Sequence, residues 1–82
     1  MKRVRLNEEG LFGVKIKKSG IYDAYTTEEI LAMEDVSEKE KRDVVNVDGF
    51  FSVAGWIENE DSTEDKKFFV QIYESHIVEV VE

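Results

Sequence analysis

Hydrophobic and polar residues alternate with period two along much of this chain. Val4 and Leu6 interleave with Arg3 and Arg5, and Phe12, Val14 and Ile16 interleave with Gly13, Lys15 and Lys17. Such alternation predicts strands with one buried face. Glu8-Glu9-Gly10 separates the two runs as a turn, so residues 2–17 read as a first hairpin. Lys18-Ser19-Gly20 supplies a second turn, with a glycine free to take positive φ, and 21–25 follows as a third strand. The period then changes. Thr26 stands three residues before Glu29, the spacing of a capping box, and Ile30, Leu31 and Met33 give the ensuing helix an apolar side. Ser37-Glu38-Lys39-Glu40 is a second start signal and predicts a helical stretch over 37–43. Period two returns in Val44-Val45-Asn46-Val47, and Asp48-Gly49 predicts a hairpin turn. Strands are expected over 50–57 and 66–73, separated by the charged loop 58–65, and a last one over 77–81.

This inventory is that of a β-rich α+β domain: a strongly bent antiparallel sheet or small barrel of about six strands, with one short helical insertion at residues 27–43. The 82 residues, 41% hydrophobic, leave no room for a second core, so 1–82 is read as a single domain. On the strand 50–57, Phe51, Val53 and Ile57 share one face and Phe50, Ala54 and Trp56 the other; on 66–73, Phe68, Val70 and Ile72 oppose Phe69, Gln71 and Tyr73. The first set of each strand is expected inside. Phe50, Trp56, Phe69 and Tyr73 are then a satellite cluster under the helical insertion or an exposed binding patch.

The run Ser52-Val53-Ala54-Gly55-Trp56-Ile57, the charged loop after it and the segment 67–81 resemble the end of an SH3-like barrel. In that family a tryptophan-bearing strand, a variable loop, a strand, a 3₁₀ turn and a short final strand follow in this order. Glu74-Ser75-His76-Ile77-Val78 is similar to the family's Pro-Ser-Asn-Tyr-Val turn at Ser75 and Val78. The resemblance implies an SH3-like small β-barrel. Where such domains grip polyproline ligands with a proline and a tyrosine, this chain has Glu74 and Ile77, so the likeness carries architecture and not proline-rich peptide binding.

Charge divides the chain. The net charge is −8, yet residues 1–18 hold six cations against Glu8 and Glu9, a net +4, which leaves −12 on residues 19–82. An acidic body repels phosphate and favours docking on a basic partner. Arg3, Arg5, Lys15 and Lys17 project from one face of the first hairpin, where they pair with acids on neighbouring strands or follow phosphates. Against the acidic body the pairing is favoured, and no nucleic-acid binding is expected at physiological salt.

Candidate chemistry is sparse. There is no cysteine, a single histidine and no phosphate-loop or nucleophile-elbow glycine pattern, so an enzyme is not expected. Ser75 and His76 are neighbours and point apart, and His76 reads as a turn residue bonding locally. The loop acids Glu58, Glu60, Asp61, Glu64 and Asp65 offer oxygen ligands, but neither register that starts at Asn59 or Asp61 puts glycine sixth and glutamate twelfth, as an EF-hand loop requires. No metal and no cofactor are expected. No apolar run reaches membrane-spanning length, and a cytoplasmic, membrane-free protein is expected, as a monomer or small homo-oligomer.

Three function classes remain in ranked order. The first is a non-catalytic protein-binding module, a small acidic inhibitor or adaptor docking on a basic, nucleic-acid-binding type of surface, similar in composition to the acidic nucleic-acid mimics of phages and mobile elements. Its candidate contact residues are Trp56, Glu58, Glu60, Asp61, Glu64, Asp65 and Tyr73. The second is a nucleic-acid-binding small barrel that uses the basic hairpin. The third is a structural domain that self-associates through a free strand edge.

Overall fold

The computed structural model describes residues 1–7 and 20–82, so the turn at 8–10 and the strand expected over 12–17, with Lys15 and Lys17, lie outside the described residues. Among the described residues, five strands and two α-helices make a small α+β unit. β1 (Lys2–Leu6) is flanked by β2 (Ile21–Ala24) and β5 (Ile77–Val80) in an antiparallel sheet of order β2-β1-β5. β3 (Gly55–Glu58) and β4 (Phe69–Ile72) form a second antiparallel pair. A reciprocal pair of backbone hydrogen bonds between Tyr25 and Trp56, 2.7 and 2.8 Å, joins the end of β2 to β3. Gly20 takes positive φ (78°) just before β2, a conformation that favours glycine. Among the described residues no ladder closes the sheets into a barrel, the closed one of the two forms expected from sequence.

The helical region departs most from the sequence pattern. α1 (Thr27–Leu31) begins with the expected capping box: Thr26 Oγ1 accepts from the Glu29 amide at 3.1 Å and Glu29 accepts from the Thr26 amide at 3.0 Å. α2 begins at the expected Ser37 cap, whose hydroxyl accepts from the Glu40 amide at 3.2 Å, but it runs over Glu38–Phe50 rather than ending at 43. The strand expected at 44–47 and the hairpin turn at Asp48-Gly49 are therefore helix, and β3 begins at Gly55, not at 50. The reason is that Glu40, Val44, Val47 and Phe51 also recur at helical spacing. Burial of Val44 against Trp56, Ile30 and Val36 outweighs the few tenths of a kcal/mol that each β-branched residue costs a helix.

β3 sits between two hydrophobic clusters, because its neighbouring residues point to opposite faces. Ile57 joins Val4, Leu6, Tyr22 and Ile72 in the cluster between the sheets. Trp56 joins Ile30, Val36 and Val44 in the cluster under the helices, with Phe69, Val53 and Met33 packed against it. The expected inner set is thus right for Ile57 and Ile72 and wrong for Phe51 and Phe68, which are half exposed. Both lie outside the regular strands, where the alternation no longer counts. A 3₁₀ turn, Glu74–His76, connects β4 to β5 as the resemblance implied.

Candidate docking groove

Trp56 is the most buried aromatic among the described residues. Only 2% of it is exposed, its indole N–H donates to Thr27 Oγ1 at 3.1 Å, and the Thr27 hydroxyl donates to Asp48 Oδ2 at 2.6 Å. That chain of hydrogen bonds ties β3 to α1 and α2. The satellite alternative therefore holds for Trp56, and for Phe69, whose ring meets Tyr25 edge-on at 6.1 Å. It fails for Phe50, 81% exposed at the end of α2. As an open anchor on the surface Trp56 is excluded by its burial. Tyr73 is half-buried, with its ring 5.5 Å from that of His76, and its amide donates to His76 Nδ1 at 3.2 Å. His76 is thus bonded locally, as its place in a turn predicts.

The acidic loop is more ordered than a merely solvated one. Ser62 Oγ accepts from the Phe68 amide at 2.8 Å and donates to the Phe68 carbonyl at 3.0 Å, while Thr63 Oγ1 accepts from the Lys66 amide at 3.1 Å. Asn59 Oδ1 caps the turn by accepting from the Asp61 amide at 2.9 Å. These side-chain bonds substitute for ladder bonds and hold the loop as a folded turn. Glu60, Asp61, Glu64 and Asp65 all remain exposed, and Glu58 is half-buried at the end of β3. No group of three acid or histidine side chains converges as a metal site among the described residues.

Between α2 and this loop lies an open groove of about 480 Å³. Glu40, Asp43 and Val47 form its helical wall, Trp56 and Phe69 its floor, and Phe68, Asn59 and Asp61 its opposite rim. The spacing 40, 43, 47 places those helix residues on one stripe, and one further turn brings Phe50 to the same side. Glu40 reaches across to accept from the Phe69 amide at 3.0 Å, so one carboxylate oxygen covers an outward amide of β4. No Lys, Arg or His lines the groove among the described residues. Of the expected contact residues only Trp56 and Asp61 line it; Glu58, Glu60, Glu64, Asp65 and Tyr73 do not. The sequence pattern ends the helical stretch at 43, which hides the stripe joining Glu40 and Asp43 to Val47, and strand parity over 66–73 assigns Phe68 to the interior. The available signal was the helical repeat of 40, 44, 47 and 51.

Beside the groove, Lys67 donates to Asp35 Oδ2 at 3.0 Å and pins the approach to β4 onto the α1–α2 connection. That contact holds the Asp35 carboxyl below its ordinary range and raises the Lys67 ammonium. Burial pushes the Tyr25 phenol up, with Asp23 and Glu58 adding to it. On the opposite sheet, Arg5 Nε meets Glu79 Oε1 at 2.8 Å, and Arg3 Nε lies 3.6 Å from carboxylate oxygens of Asp23 and of Glu82. Arg3 and Asp23, and Arg5 and Glu79, are register partners, so these two cations do pair across strands. No helix among the described residues is long and apolar enough to cross a membrane. No family model, curated protein or solved structure matches the chain.

Proposed function

We propose that the protein is a non-catalytic protein-binding module, a small acidic inhibitor or adaptor, that docks on a basic surface of a partner protein. The observation that carries this is the groove: Glu40, Asp43 and Asp61 line it together with aromatic surface that includes the half-exposed Phe68, and no Lys, Arg or His lines it among the described residues. Carboxylates steer the encounter, and a part-exposed aromatic supplies affinity when it leaves water. The exposed acids Glu60, Glu64 and Asp65 extend the same field along the loop. Binding of nucleic acid through the hairpin has less support, since Arg3 and Arg5 are engaged by Asp23, Glu79 and Glu82.

An SH3-like architecture belongs to this proposal. The order β2-β1-β5, the separate β3-β4 pair bridged to it at Tyr25 and Trp56, and the 3₁₀ turn before the last strand support it. Affinity capture from the producing cell, at about 150 mM salt and with nuclease treatment, tests the function. Side-by-side capture with the native chain and an E60Q/D61N/E64Q/D65N variant is expected to retain a basic protein on the native chain alone. Retention of nucleic acid in place of protein, or equal capture by both chains, overturns this docking mode.

Self-association has one observation in its favour. Val78 and Val80 are exposed on β5, which among the described residues pairs only with β1. Sedimentation at concentrations up to about 100 μM decides it, because strand-edge pairing at such an interface gives a concentration-dependent dimer.

A further inference from the structure

We infer that two copies of this chain associate through the open corner of the core between the sheets, with Lys2 of each copy set against Glu74 of the other. This contact is independent of the groove beside α2, and it places self-association on the inner face of the three-stranded sheet rather than on the β5 edge. Lys2, Val4 and Leu6 share that inner face of β1. Val4 and Leu6 are buried there, but the cover ends before Lys2. The residues at this end are Ala24, the register partner of Lys2, and Ala54, just before β3. Their methyl groups leave the corner unfilled, and a cleft of about 340 Å³ remains, with Ile72 and Ile77 also lining it. Val80 shows the consequence. It is the register partner of Val4 and lies on the same face of the sheet, yet 57% of it is exposed against 1% of Val4.

Charge decides what meets this surface. Lys2 and Glu74 both line the cleft, and neither has an ion-pair partner among the described residues. Lys2 starts β1, whereas Glu74 lies in the 3₁₀ turn whose His76 carbonyl accepts from the Asn7 amide, just past the other end of β1. An apolar centre therefore carries a cation toward one end and an anion toward the other. A two-fold axis sets a surface against itself, so that when residue i of one copy meets residue j of the other, j also meets i. Only a patch with both signs is complementary to its own copy. The groove beside α2 fails that condition, because the charged residues lining it are all acids and would repel their counterparts. At the open corner, two-fold pairing forms the Lys2–Glu74 contact twice and covers Val80 of both copies. The cleft falls short of the roughly 20–30 residues a side of a standard interface, so the dimer is weak and reversible.

Sedimentation velocity of the full chain up to about 100 μM tests this, with an expected dimer dissociation constant of about 10–50 μM. K2E and E74K each bring like charges together twice and should weaken the dimer about tenfold. Mixed in equal amounts, the two variants should regain the parental affinity, since each supplies the sign that the other lacks. Both remain net acidic, so overall attraction does not account for such recovery. The double variant K2E/E74K should dimerise by itself. Lys2 and Glu74 are exposed and unpaired, so these changes leave the fold intact, which equal thermal midpoints at low concentration verify. A parent that stays monomeric at about 100 μM overturns the inference. So does a dimer that K2E and E74K leave unchanged, or a mixture that associates no better than its components. None of these outcomes touches docking on a basic partner, which capture from the cell decides separately.

Discussion

Ile72 has none of its surface exposed, and it packs with Ile57, Val4 and Leu6 between the two sheets. Ile72→Ala should cost about 2–4 kcal/mol, from lost transfer free energy and the cavity left behind, read as a shift in the denaturant midpoint. Val70, only half-buried, should cost less on the same truncation. Alternation along β4 was enough to assign these two residues to the inner face, because both lie within the strand. The same parity misplaced Phe68, which stands one residue before it and is held by Ser62 instead. Nor does parity show which cluster a residue joins: Trp56 and Ile57 are both buried, on opposite sides of β3. Thr27 illustrates what sequence leaves unseen, since its hydroxyl connects the Trp56 indole to Asp48, a residue 21 positions away. Thr27→Val should destabilise by about 1–3 kcal/mol, because an indole donor enclosed by protein then lacks its acceptor. A change within a few tenths of a kcal/mol would mean that water replaces the hydroxyl.

Among the elements, α2 gives the sharpest test of the difference between pattern and structure. Gly49 lies in its last turn without positive φ, and a Cβ built there meets nothing within 4 Å. Gly49→Ala should therefore stabilise the fold by up to about 1 kcal/mol, through helix propensity and reduced freedom of the unfolded chain. In the hairpin turn suggested by Asp48-Gly49 the same change would destabilise, because alanine resists positive φ. The sign of the shift in thermal midpoint separates the two. β1, β2 and the capped start of α1 were legible because alternation and turn or cap residues mark them, and the 3₁₀ turn only through the SH3-like resemblance. The stretch 44–50 was not, since four residues of period two fit a strand and a helix face equally and only Trp56, distant in sequence, decides between them. The connection between α1 and α2 adds a pH dependence. Asp35 is a stronger acid in the folded state through its hydrogen bond from Lys67, so its stabilisation is present above the ordinary carboxylate value of about 4 and is lost as pH falls through the lowered one. Acid titration of the thermal midpoint should thus fall less steeply for Asp35→Asn than for the parent.

At the scale of the whole molecule, the division of charge read from sequence acquires a geometry. Arg3 and Arg5 are neutralised in place on the three-stranded sheet, while the acids of α2 and the loop flank a groove on the other side of β3. Composition and spacing made the acidity and the loop legible, but the groove needed the third turn of α2, which the pattern hid. The proposed docking divides the work between two kinds of residue, and kinetics can separate them. Exposed carboxylates act at a distance, so E60Q/D61N/E64Q/D65N should slow association with the partner and flatten its salt dependence, with little change in dissociation. An aromatic at the contact acts only after water has left. Phe68→Ala should therefore speed dissociation by about tenfold, the equivalent of roughly 1.4 kcal/mol, with association nearly unchanged. Trp56→Ala is expected to differ from both, because it empties the cluster under the helices and lowers the thermal midpoint before binding is measured. Stopped-flow association and surface-resonance dissociation, run on variants whose midpoints lie within a few degrees of the parent, make the comparison. Should Phe68→Ala dissociate at the parental rate while the amide loop still slows association, the contact lies along the loop and α2's exposed Phe50, and the groove is bypassed.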